Sequence, residues 1–162
     1  YLVNSVRILS GNDSQFITDN EESNERASTE ESDAFADIEE KLGVKLPEFY
    51  YRPNGMEFLD YEVRERSGFA DIEYKYNDAI LSLHVNKQSK NTASNSSSTN
   101  GNEKEYVMTT SDNLQVHLRE IIDQGDSDIT YVATWIKENE TYYLSGKIEL
   151  DEIKKIIKYM KF

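Results

Sequence analysis

The residues Phe58–Lys87, FLDYEVRERSGFADIEYKYNDAILSLHVNK, decide the fold. Apolar and polar side chains alternate through three runs, the period of a strand that buries one face. Ser67-Gly68 and Asn77-Asp78 separate the runs, and each pair is short enough to reverse the chain. Read as two-residue turns, they set Val63 against Ile72, Tyr61 against Tyr74 and Leu59 against Tyr76 in the first hairpin. In the second they set Leu81 against Tyr74, Leu83 against Ile72 and Val85 against Ala70. Two independent turns converge on one apolar face, and a slip of one residue in either would send every side chain to the wrong side. The stretch is therefore an antiparallel meander.

The other face of the meander is polar. The same register pairs Arg64 with Asp71, Glu62 with Glu73 and Asp60 with Lys75, and it brings His84 opposite Asp71. A carboxylate beside an imidazole orients the ring and raises its basicity, the arrangement used by His–carboxylate dyads and metal-bound histidines. Arg64, Asp71, His84, Glu62 and Glu73 are thus the candidate binding residues. A solvent-facing charge ladder explains the same pattern without chemistry and is the stronger reading, because no nucleophile falls in register with the histidine. No catalytic residue and no metal ligand is assigned.

Beyond the meander, Tyr106–Thr110 and Leu114–Ile122 read as strands, with His117 on the polar face of the second. Whether His117 and His84 share a face depends on strand order, and a metal needs at least three convergent ligands. Ile129–Gly146 forms another hairpin around Glu138-Asn-Glu140. Tyr131, Ala133 and Trp135 occupy one side of its first strand and Val132 and Ile136 the other, as expected of a central strand covered on both faces. A turn at Asn139-Glu140 would oppose Trp135 to Leu144, and a turn at Glu138-Asn139 would oppose it to Tyr142; both keep the same faces. Trp135, Tyr142, Tyr143 and Gly146 are read as structural, since aromatic cross-strand pairs are more often core than pocket.

Two helices are expected. One runs over about 33–42, capped by Ser32 or Asp33, with Phe35, Ile38 and Leu42 as its stripe and Gly43 and Pro47 as its stop. The other runs over about 150–160, where Ile153, Ile156, Ile157 and Met160 recur at helical spacing. The fold class is α+β: a single domain over 1–162, mainly an antiparallel twisted sheet of about six to eight strands with both helices packed on it. Tyr1–Leu9 and Ser14–Thr18 read as an N-terminal hairpin. Residues 19–33 read as an acidic mobile segment and 88–104 as a polar mobile loop.

Composition narrows the function. The 162 residues carry a net charge of −13, which repels phosphate backbones and excludes nucleic acid as a partner. Eight carboxylates lie between Gly11 and Asp33 against the single Arg26, without the Asp/Asn alternation and central Gly of an EF-hand loop. Asp123–Asp128 is likewise too short for a calcium loop. The absence of cysteine removes disulfides, thiol catalysis and zinc–thiolate sites. No apolar run is long enough to cross a membrane, and a chain opening at Tyr1 is expected to follow upstream sequence that could hold an anchor or signal.

The pattern Trp135, Asn139, Tyr142-Tyr143-Leu144-Ser145-Gly146, followed by Leu150-Asp151-Glu152 opening Ile153, Ile156 and Ile157, resembles the domain-of-unknown-function family 4367. Leu46-Pro47, Tyr51-Arg-Pro53-Asn-Gly55-Met56, Tyr74-Lys-Tyr76-Asn77 and Leu81-Ser-Leu83 resemble its other landmarks, so the likeness covers roughly Ala34 to the end. The resemblance implies an extracytoplasmic domain of a membrane-anchored or secreted protein of Gram-positive bacteria, some relatives being linked to anti-sigma or sporulation regulation. It transfers no catalytic residues and implies no cofactor. The expected function is a non-enzymatic sensing or protein-interaction domain, its partner a protein or cell-envelope component and any membrane contact made through an anchor elsewhere. The alternatives are a carrier for an apolar or glycan ligand and, more remotely, a hydrolase using Glu62/Glu73 or His84/Asp71.

Overall fold

A computed structural model of the chain describes residues 28–87, 104–122, 125 and 127–162. The N-terminal hairpin, residues 19–27 of the acidic segment and residues 88–103 of the polar loop lie outside the described residues.

Helix α1 spans Thr29–Leu42, four residues earlier at its start than the caps Ser32 and Asp33 suggest. Ser28 is the cap: its hydroxyl accepts from the N–H of Glu31 at 3.1 Å. Gly43 ends the helix in the left-handed conformation, its N–H bonding the Glu39 carbonyl. Glu30, Glu31 and Asp33, expected in a mobile acidic stretch, are therefore helical.

The strands are β1 (Glu48–Phe49), β2 (Met56–Arg64), β3 (Phe69–Tyr76), β4 (Ala79–Asn86), β5 (Glu105–Thr109), β6 (Gln115–Ile122), β7 (Ile129–Lys137) and β8 (Glu140–Gly146); helix α2 (Leu150–Lys158) and β9 (Met160–Lys161) follow. The β3–β4 hairpin has the register read from Asn77-Asp78, with Tyr74 opposite Leu81, Ile72 opposite Leu83 and Asp71 opposite His84. Asn77 takes the positive φ that this tight turn needs.

The β2–β3 register differs from the expectation by two residues. Ser67-Gly68 is not the whole turn; four residues, 65–68, make the reversal, closed by the Gly68 N–H on the Arg64 carbonyl at 2.8 Å. Tyr61 consequently faces Ile72 and Val63 faces Ala70. The shift is even, so these two residues keep their faces. A bulge between Phe58 and Asp60 then turns Phe58 towards Tyr74 and Met56 towards Tyr76, and leaves Leu59 49% exposed instead of packed on Tyr76.

In β7–β8 the turn falls at Glu138-Asn139, both residues with positive φ, and Trp135 faces Tyr142. The main sheet has seven strands in the order β2-β3-β4-β8-β7-β6-β5, all antiparallel, so β8 lies in the middle. Its place against β4 brings Gly146 opposite Leu81. A Cβ at Gly146 would sit 2.8 Å from the Ile80 carbonyl oxygen, which accounts for the missing side chain.

Both helices pack on one face of this sheet. Ile38 and Leu42 of α1 and Ile153, Ile156 and Ile157 of α2 join Ile72, Tyr74, Leu83, Leu118, Trp135 and Leu144 in one buried cluster. Helix α2 stops at Lys158 rather than continuing to 160. Met160 is instead in β9, paired with Phe49 of β1, which buries its side chain under a two-stranded clip. The second face of β7 is not sealed as a central strand was expected to be: Ile136 is exposed and Val132 only half-buried.

Candidate functional site

The outer face of the sheet, opposite the helices, gathers the candidate residues. One row crosses all seven strands: Glu62, Asp71, His84, Tyr143, Thr134, His117 and Val107 stand side by side. Within it the Nδ1 of His84 lies 2.6 Å from Oδ1 of Asp71. Phe69 stacks on the imidazole at 5.3 Å between centroids, and Tyr143 leans on it at 5.7 Å. The Arg64 guanidinium lies 5.9 Å from the centre of the Phe69 ring, so a continuous rib runs Arg64, Phe69, His84, Tyr143. Bonding of Nδ1 to Asp71 leaves Nε2 as the imidazole atom available to a ligand.

Not every candidate joins the dyad as the sequence suggested. The four-residue turn moves Arg64 opposite Phe69, where its Nε donates to Glu62 at 2.6 Å instead of facing Asp71. Glu62 faces Asp71 and Glu73 faces Asp60, so Glu62 and Glu73 do not form a cross-strand pair. His117 shares the face and row of His84 but stands three strands away, about 14 Å at ordinary strand spacing. That separation is far beyond what one metal ion can bridge. His117 instead lies 3.3 Å from a Glu105 carboxylate oxygen. Among the described residues no three His, Cys, Asp or Glu side chains converge as a metal site. Trp135, Tyr142 and Gly146 are buried on the inner face, and Tyr143 alone of the structural set points outward to His84.

The sequence reading missed a second polar assembly, on the inner face. The buried carboxylate of Glu31 accepts two hydrogen bonds from Arg52, at 2.8 and 3.1 Å, and one from the Tyr74 hydroxyl at 2.6 Å. Burial and the neighbouring carboxylate push the Tyr74 phenol well above its ordinary pKa. The signal was present: Glu31 lies seven residues before Ile38, on the buried stripe of the helix. Other tyrosines make similar ties: Tyr61 of β2 donates to Asp37 of α1, Tyr76 of β3 to Glu149 at the cap of α2, and Tyr51, between β1 and β2, to Glu152 of α2.

The Tyr76–Glu149 contact predicts a pH dependence. The Tyr76 hydroxyl, with a smaller backbone contribution, holds the Glu149 carboxyl below its ordinary value of 4.5. A carboxyl depressed in the folded state binds fewer protons there than in the unfolded chain, so its stabilisation is complete above about pH 4.5 and fades as the pH falls through the lowered value. Tyr76→Phe should therefore lower the melting temperature at neutral pH, with the gap to the natural protein narrowing below pH 4.5. A gap that stays constant down to acid pH would contradict this.

A sequence profile of the family described as Domain of unknown function (DUF4367) matches residues 46–160. The match begins after α1 and takes in the whole sheet and α2. No curated protein and no solved structure matches the chain.

Proposed function

The chain belongs to the DUF4367 family, and from that premise we propose that it is a non-enzymatic sensing or protein-interaction domain, acting outside the cytoplasm as part of an anchored or secreted protein. The observation that supports this reading is the outer sheet face. Both helices pack on the other side, so the Asp71–His84 dyad lies on a broad surface with half-buried Phe69 and Tyr143 and exposed Ile136 around it. A surface of aromatic and aliphatic side chains rimmed by charged groups suits a protein contact. The rings flank the imidazole on both sides, which favours a fixed recognition group over a base working on a bound nucleophile.

These 162 residues contain no cysteine, so a thiol introduced among them reports on its own position. Ile136→Cys adds one thiol on the outer face, and in cells making the full-length protein this added thiol should react with a membrane-impermeant reagent before lysis, above any reaction of the unsubstituted protein. Reaction only after lysis would overturn the location. A cross-linker on the same thiol should capture a defined protein, and Phe69→Lys with His84→Ala should abolish that capture. Equal capture from a thiol at Tyr159, on helix-side surface, would overturn the assignment of the face.

A further inference from the structure

The two edges of the sheet are built differently. Edge strand β2 is broken by the bulge at Leu59 and carries Glu57, Asp60, Glu62 and Arg64, the devices that keep an edge from pairing. Edge strand β5 has no bulge, and its one charged residue, Glu105, stands at its first position. Its register to β6 is unbroken from Glu105–Arg119 to Thr109–Gln115, and Tyr106, Val107, Met108 and Thr109 are uncharged. The direction of its backbone groups follows from the hydrogen bonds at its ends. The Glu120 N–H donates to the Lys104 carbonyl and the Thr110 N–H to the Leu114 carbonyl, so the even-numbered residues form the hydrogen-bonded pairs with β6. The N–H and C=O groups of Glu105, Val107 and Thr109 therefore point away from the sheet. Among the described residues no strand meets them.

We propose that the β5 edge pairs with the same edge of a second copy, antiparallel about a two-fold axis at Val107, joining two seven-stranded sheets into one. In this register Val107 faces its counterpart, Glu105 of each copy faces Thr109 of the other, and Tyr106 faces Met108. Residues 105, 107 and 109 are the ones with outward backbone groups, so each hydrogen-bonded pair across the axis is complete. No like charges meet, whereas an axis at Glu105 would oppose two carboxylates. Val107, 57% exposed in the single chain, is covered by its counterpart, and the partly buried Tyr106 and Met108 continue the core across the junction. The axis is perpendicular to the sheet, so both His84 faces lie on the same side of the dimer. The pairing is independent of what that face binds.

Each copy carries −13, so the test belongs at physiological ionic strength, where the Debye length is about 8 Å and the mutual repulsion is screened. In sedimentation equilibrium the chain should rise with concentration from 18.8 kDa towards twice that mass. Val107→Pro removes an outward N–H that β6 does not use, and it should leave the protein folded by circular dichroism but monomeric. Should the proline variant not fold, Val107→Lys puts two ammonium groups on the axis and serves the same purpose. Val107→Cys should give a covalent dimer on oxidation, the facing Cα atoms of such a pair being about 5.5 Å apart. A mass of 18.8 kDa at every concentration would overturn the proposal. So would a dimer that survives the folded Val107 variant.

Discussion

Glu31→Ala is expected to cost about 3–5 kcal/mol of folding stability, the loss that follows when one member of a buried ion pair is removed and the other stays. The side chains of Glu31 and Arg52 are only 3% and 11% exposed. Without the carboxylate, the guanidinium beside the Phe49 ring has no counter-charge from Glu31, and the Tyr74 hydroxyl loses its acceptor. The large effect does not mean that the pair is a strong source of stability, because bringing both charges out of water offsets most of their attraction. Its contribution is positional: two parallel hydrogen bonds fix the first turn of α1 to the segment between β1 and β2, and the Tyr74 hydroxyl fixes it to β3. The double variant Glu31→Ala/Arg52→Met should therefore be markedly more stable than the sum of the single losses, since no charge is left buried. Urea unfolding followed through the single tryptophan gives each value. A Glu31→Ala loss below about 1 kcal/mol, the range of exposed pairs, would show that the clasp is open to water in solution.

The second hairpin of the meander was legible because Asn77 supplies a left-handed residue at the one place where a two-residue turn fits. The Asp71–His84 dyad depends on that hairpin alone, and so it too was legible. Arg64 depends on the first hairpin. There Gly68, the last of four turn residues, looks in sequence like half of a two-residue turn, and the resulting error of two positions moves a charge while leaving the inward face between 61 and 63 unchanged. The bulge was hidden for a related reason: Phe58 and Leu59 are both apolar, and only packing against Tyr74 decides which one turns inward. The relation between His84 and His117 is a property of strand order. The chain leaves β4 and returns to it with β8, and no local pattern reports that long-range pairing. Glu31 was obscured by its neighbours, since an acidic run invites a solvated reading for every member.

Trp135→Ala is expected to cost about 3–5 kcal/mol, while Trp135→Phe should cost less than about 2 kcal/mol. The indole is 2% exposed, lies parallel to Tyr142 at 5.5 Å and meets the edge of Phe162 at 6.4 Å. Truncation to alanine removes this whole contact and leaves a cavity in the core between the sheet and the helices. Phenylalanine keeps a ring against Tyr142 and also discards the indole N–H, which is buried with no acceptor among the described residues. An unpaired buried donor costs about 1–3 kcal/mol, which offsets much of the lost ring area. Guanidinium unfolding read by far-ultraviolet circular dichroism compares the variants without relying on tryptophan emission; equal losses for both would show that the N–H is satisfied in solution. The consequence reaches the outer face. Tyr142 and Tyr143 are consecutive on β8 and point to opposite sides, so the stack that holds Tyr142 against Trp135 also holds Tyr143 beside His84. The ring resonances of His84 should therefore move in Trp135→Ala under conditions where it is folded, and stay in place in Trp135→Phe. Unmoved resonances in the alanine variant would show that the dyad is positioned by β3 and β4 alone.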